Sequence, residues 1–133
     1  MKFLSKASLI LSIFTLSVNA TSHHPEVFLK SIQDSPQVGK EIYTHFCSNC
    51  HARKALIRIG APRYRIHTDW DQRLKQGIES LFHHTDEGLN AMPARGGCFE
   101  CTDEQLMLAM IYMLPKKSQK ELLNKLLDYK KDI

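Results

Sequence analysis

Residues 47–51 read CSNCH, two cysteines three positions apart with a histidine directly after the second. The pattern admits three chemistries: half of a zinc site, a redox-active dithiol, or an attachment point for haem. The residues before it narrow the geometry. Ser35-Pro36 is a helix start, with Ser35 as N-cap and Pro36 at the first helical position, and Val38, Ile42 and Phe46 follow at helical spacing. The predicted helix runs directly into the motif. Residues at i, i+3 and i+4 share a helix face, so Cys47, Cys50 and His51 point together. Two thiols so placed can add to the vinyl groups of one haem while the imidazole meets the iron from the same side.

The rest of the chain decides among the three. The first twenty residues, MKFLSKASLILSIFTLSVNA, combine Lys2 and Lys6 with an apolar run from Ala7 to Val18 and a small-residue end at Ala20. The run is short for a membrane span, so residues 1–20 are predicted to be a signal peptide, with an uncleaved anchor as the rival reading. Without Lys2 and Lys6 the formal charge of +4 becomes +2. Such a balance is a poor argument for nucleic acid, and export weakens that partner further. Export also turns the four cysteines into candidates for disulfides or covalent attachment. A thioredoxin-like dithiol is expected beside a βαβ pattern, and none is present. A zinc site built from Cys47, Cys50, Cys98 and Cys101 would separate its halves by far more than the roughly 15–20 residues usual for such sites. Haem attachment is the reading that fits both motif and compartment.

The chain divides as residues 1–20 signal, 21–34 leader without clear period, 35–114 haem domain, and 115–133 C-terminal extension. Thr68 is expected to cap a short helix carrying Trp70 and Leu74, and IESLF (78–82) forms a second short segment before the polar stretch HHTDEGLN. Thr102 with Gln105 is a capping-box signature opening a helix to about Leu114, with Leu106, Ala109, Met110 and Met113 on one face. Ser118 with Glu121 repeats the signature and predicts a last amphipathic helix with Leu122, Leu123, Leu126 and Leu127 as its stripe. No strand-like alternation occurs. The predicted fold is all-α, with long loops organised by something inside them.

A second ligand to the iron has several candidates. Met107, Met110 and Met113 have the helical spacing of core residues. Met92 stands in a loop before Pro93, where packing alone explains it less well, and its thioether is a soft ligand that raises a haem's potential. Gap-filling is the alternative for Met92. His83 and His84 are the next candidates, against solvation in a polar stretch; His23, His24, His45 and His67 carry no supporting pattern. Cys98 and Cys101 lack a following histidine, so a disulfide after export or a labile dithiol remains open for them.

With these residues in view, the sequence resembles a class I c-type cytochrome, most of all the cytochrome c5 group of small bacterial mono-haem carriers. The resemblance rests on CSNCH, on GAP (60–62) followed by Trp70, and on GLNAMPARGGCFEC (88–101) leading into TDEQLMLAMIYM. It implies an all-α fold around one haem c per chain, attached through Cys47 and Cys50, with His51 and Met92 as axial ligands. It also implies a Cys98–Cys101 disulfide and the Pro62 carbonyl as acceptor for the axial imidazole N–H. The implied function is a periplasmic one-electron carrier of a respiratory chain. A small haem peroxidase or a tethering subunit of a respiratory complex are the alternatives. Three departures stand out: the long basic segment HARKALIRIGAP (51–62), Arg65 where glycine is common, and the helix after Ser118. Seven bases between residues 52 and 75 (Arg53, Lys54, Arg58, Arg63, Arg65, Arg73, Lys75) form either a solvated loop with one or two haem-propionate partners or a face for acidic redox partners. The last helix either packs on the body or touches a partner or membrane surface.

Overall fold

The computed structural model describes residues 24–131, and side chains as far as residue 124. Residues 1–23, the expected signal peptide among them, lie outside the described residues, as do the side chains of Leu126 and Leu127. Among the described residues the fold is all-α: α1 (Pro25–Ile32), α2 (Val38–Ile42), α3 (Ser48–His51), α4 (His67–Leu74), α5 (Ile78–Glu87), α6 (Asp103–Met113) and α7 (Lys116–Lys131). A π-helical turn, Tyr43–Cys47, joins α2 to α3, and a 3₁₀ turn spans Ala94–Gly97.

The stretch from Val38 to His51 is therefore one continuous helical rod with a widened turn in its middle. The Ser48 N–H donates to Tyr43 O, five residues back. Two hydroxyls loosen the ladder there: Thr44 Oγ1 donates to Lys40 O at 2.8 Å and Ser48 Oγ to Thr44 O at 2.7 Å. Such back-bonding bends helices. The rod starts at Val38 rather than Pro36; Ser35 Oγ accepts from Gln37 N at 3.1 Å and donates to Glu41 at 2.7 Å, tying down the turn before it.

The rod crosses α6 where Gly39 lies on Leu108. A Cβ on Gly39 would sit 2.5 Å from Leu108 O, so only hydrogen fits at the crossing. Helix α6 then feeds two apolar clusters. Leu106 and Ala109 join Leu29, Ile32, Ile42, Cys98 and Cys101, while Met110, Ile111 and Met113 join Tyr43, Trp70, Leu81 and Leu114. Its capping box is formed, with Gln105 N donating to Thr102 Oγ1 and Thr102 N to Gln105 Oε1.

Four further boundaries differ from the sequence reading. Residues 25–32, read as part of a leader, form α1, whose Leu29 and Ile32 are buried in the first cluster. Thr68 lies inside α4, which begins at His67 without a side-chain cap. Helix α5 continues past IESLF through His83, His84 and Glu87, because Thr85 is buried and its hydroxyl returns to Leu81 O at 3.0 Å. Ser118 is not a cap: α7 starts two residues earlier, where Leu114 turns extended (ψ 161°) and Pro115 sets the next helix off, with Gln119 N on Pro115 O. Near its start α7 is seated on the body: the Gln119 amide donates to the Leu114 carbonyl at 2.8 Å, and Leu122 packs on the second cluster.

Candidate functional site

Against the second cluster lies a largely apolar cavity of about 510 Å³. Cys47, Cys50 and His51 border it from the end of the rod, and Met92 from the turn at residues 89–92. Trp70, Leu81, Met110 and Met113 supply apolar wall, and His84 also borders it. His83 does not line the cavity and is exposed. Met107 packs in the second cluster. His45 stacks on Phe28 at 4.2 Å, His67 pairs with Asp71 at 2.6 Å and His24 with Glu26 at 3.0 Å, all outside the cavity lining.

His51 is the most constrained of these side chains. It is only 6% exposed, and its Nδ1 lies 2.8 Å from the carbonyl oxygen of Pro62. A carbonyl only accepts, so Nδ1 carries the proton and Nε2 keeps its lone pair. Burial pushes the imidazole pKa down; the Pro62 bond opposes this and the Arg73 charge adds to it. The ring is therefore a neutral base with one nitrogen fixed.

The segment that presents Pro62 is itself bolted in place through main-chain atoms. The Tyr64 N–H donates to His51 O at 2.6 Å, and the Arg65 N–H to Met113 O at 2.8 Å. Trp70 Nε1 donates to Arg63 O at 2.9 Å. The Arg63 N–H and guanidinium both donate to Asp69, at 3.0, 2.7 and 2.9 Å. These bonds, the Arg63 guanidinium's first, hold the Asp69 carboxyl down at about 2. Arg65 adopts the left-handed conformation (φ 56°), which explains why glycine is common there. Its guanidinium lies over Tyr64 and Tyr112, 4.6 and 5.0 Å from their ring centroids.

Both thiols of CSNCH are free and half-buried. Burial, with Cys50 adding, pushes the Cys47 thiol up to about 12. Cys98 and Cys101, the other half of any four-cysteine zinc site, have their sulfurs at bonding distance from each other, with Cα atoms 5.4 Å apart.

The turn bearing Met92 is held by main chain at both ends. Leu89 N donates to Met92 O at 3.1 Å and Met92 N to Leu89 O at 2.9 Å, with Asn90 left-handed between them. Gly88 ends α5 at φ 85°, ψ 166°. A Cβ there would meet Met92 O at 2.6 Å and Ala94 N at 2.9 Å. Arg95 clasps the same turn from outside. Its guanidinium reaches Asp86 on α5, Cys101 O at 2.8 Å and Asp103 in the first turn of α6 at 2.9 Å. Neither role was read from the sequence. Gly88 had a signal, a glycine after a helical run, whereas the partners of Arg95 come from three separate elements.

An imidazole fixed with its lone pair free, two free thiols on the same helical turn, a thioether and an apolar wall suit haem c; among the described residues no cluster suits a metal ion held by three or more His, Cys, Asp or Glu side chains. The comparisons agree. The family described as cytochrome c oxidase, cbb3-type, subunit III matches residues 34–113, well over half of the chain. Cytochrome c5 of Azotobacter vinelandii is 32% identical over 74 residues, covering 54% of this chain and 86% of the relative. Cytochrome c-555 of Prosthecochloris aestuarii is 32% identical over 84 residues, covering 57% and 82%. The chain belongs to the class I c-type cytochromes, proteins that carry electrons on covalently bound haem. Within that class it is like cytochrome c5, which a second relative, from Ectopseudomonas mendocina, also represents at 31% identity over 72 residues.

Proposed function

We propose that this chain is a periplasmic mono-haem carrier that passes single electrons between proteins of a respiratory chain. Haem c, when bound, supplies an iron that takes up and returns one electron. In this reading Cys47 and Cys50 would hold the group by thioether bonds, His51 Nε2 and the Met92 sulfur would hold its iron, and the apolar wall would exclude water. The observation that carries the reading is the His51–Pro62 bond in the wall of the cavity that Met92 also borders. The Pro62 acceptor fixes the tautomer and raises the ligand's basicity. A thioether as the other ligand favours the reduced state and a high potential. Cys98 and Cys101 serve as a structural disulfide at the start of α6. Transient redox partners with acidic faces suit the basic residues between 53 and 75.

Met92→Ala in the holoprotein tests the ligand assignment. Haem content should be unchanged by mass, the reduction potential should fall, and cyanide should bind readily. An unchanged potential would move the role to another side chain, and His84, which borders the same cavity, is then the one to substitute. A second reading is a resident subunit of a respiratory complex, favoured by the description of the matched family. Recovery of the protein in stable, stoichiometric association with membrane-complex subunits after detergent extraction would favour it over a free carrier.

A further inference from the structure

The basic segment after CSNCH divides sharply once partners are assigned. Arg63 is committed to Asp69, Arg65 to two tyrosines, and Arg73 donates to Asp69 O at 2.6 Å. Lys54 and Arg58 are exposed and make no ion pair or hydrogen bond among the described residues. Arg53 is exposed too, with its Nε on Tyr64 O at 3.3 Å. No acidic residue occurs from Ala52 to Thr68.

Three aliphatic side chains stand among these cations. Leu56 is 84% exposed, Ile57 50% and Ile59 42%. Ile59 also lines the cavity, so the aliphatic pair on open surface is Leu56 and Ile57, adjacent in sequence and unlike the scattered apolar positions that any surface carries. The loop is also tied by its backbone to the CSNCH turn, with Ile57 N donating to Asn49 O at 2.9 Å. It presents these side chains on a fixed mount beside the cavity, whose lining includes Ile59, Gly60 and Pro62.

We propose that residues 53–59 form a membrane-docking tip that inserts Leu56 and Ile57 into an anionic bilayer surface, with Arg53, Lys54 and Arg58 on the phosphate headgroups. Charge complementarity selects an anionic surface, and the aliphatics select a bilayer. An acidic protein face satisfies the cations but gives a projecting leucine nothing apolar unless it carries a matching groove. The lipid interface accepts any protruding aliphatic and adds attraction for each nearby cation. Because the tip adjoins the cavity mouth, docking would hold that mouth close to the membrane plane. The inference takes only export from the function proposed above, and vesicle binding is read without any electron transfer.

The test is sedimentation of the holoprotein with vesicles of phosphatidylcholine containing phosphatidylglycerol, against vesicles of phosphatidylcholine alone. Binding should require the anionic lipid. Leu56→Asp with Ile57→Asp, and separately Lys54→Glu with Arg58→Glu, should each weaken it by roughly tenfold or more. The haem spectrum and melting temperature of both variants should match the parent. Absence of binding to the anionic vesicles overturns the proposal. So does binding that survives the aspartate pair and falls only with the glutamate pair, which is adsorption without insertion. Loss of binding only with Lys117→Glu and Lys120→Glu in the full chain assigns the membrane contact to α7 and overturns the proposal. If both variants disrupt cross-linking to an acidic redox protein and neither alters vesicle binding, the loop is a protein-docking site and the lipid assignment fails.

Discussion

Replacing Gly88 with alanine should damage the Met92 turn twice over. At φ 85° and ψ 166° the residue occupies a region reserved almost entirely for glycine, and an L side chain there costs about 1–3 kcal/mol. The added Cβ would also lie 2.6 Å from Met92 O, 2.9 Å from Ala94 N and 3.0 Å from the Pro93 carbonyl carbon. All three are main-chain atoms, so no rotamer change relieves the contact. Overpacking of that kind adds about 1–3 kcal/mol. Gly97 provides the control, since it shares a φ of 85° but a Cβ there meets nothing within 4 Å. Gly97→Ala should therefore carry a conformational cost without the contact penalty. The two variants should differ by about 2 kcal/mol, or roughly 8–16 °C in melting temperature for a domain of this size. Thermal unfolding of the ferric holoproteins followed by circular dichroism measures that gap. The weak long-wavelength absorbance of a thioether–iron bond should diminish in Gly88→Ala only. Equal melting temperatures, with that absorbance intact in both, would refute the idea that Gly88 sets the position of Met92.

Three other substitutions probe the surrounding frame. Trp70→Phe removes the donor to Arg63 O and should cost about 1–3 kcal/mol by denaturant titration, together with a shift in reduction potential as the Pro62 carbonyl loosens. Arg95→Ala removes the clasp between α5, Cys101 and α6; amide hydrogen exchange should rise in residues 86–103 before it rises in α2, and a uniform increase would argue against a local role. Asp69→Asn tests a pH window. The folded-state pKa lies below the ordinary 3.8, so the carboxylate's contribution is present above pH 3.8 and is lost as pH falls to about 2. The stability gap between parent and variant should close over that interval, and a gap that persists at pH 2 would show that Arg63 is not its source.

How far the sequence carried the fold depends on whether a feature is local. The CSNCH turn and the Thr102–Gln105 capping box are legible because every atom they need lies within five residues. Helix α1 was missed because His24 offers no side-chain cap and its two buried residues, Leu29 and Ile32, are too few for a period. The helical state of HHTDE depends on Thr85 being buried, which tertiary packing decides. In the site, the fixed tautomer of His51 requires a carbonyl eleven residues away, and only the resemblance pointed to Pro62. Arg65 was noted as out of pattern; its left-handed backbone and tyrosine stacking now give the departure a physical form.

The segment from Pro62 to Arg65 holds His51 with a carbonyl and an amide, and it is held in turn by the Arg63 carbonyl and the Arg65 amide. These are atoms that almost any residue supplies. Natural selection can therefore rewrite the side chains nearest the cavity with little penalty to the geometry of His51. Arg63 and Arg65 show the freedom being used: one binds Asp69, the other covers two tyrosines, and neither side chain touches His51. A lineage can thus change the charge and partner preference of this rim while inheriting the setting of His51 intact. Variation among relatives should concentrate in the side chains of this strap, with Trp70, which grips it, changing far more slowly.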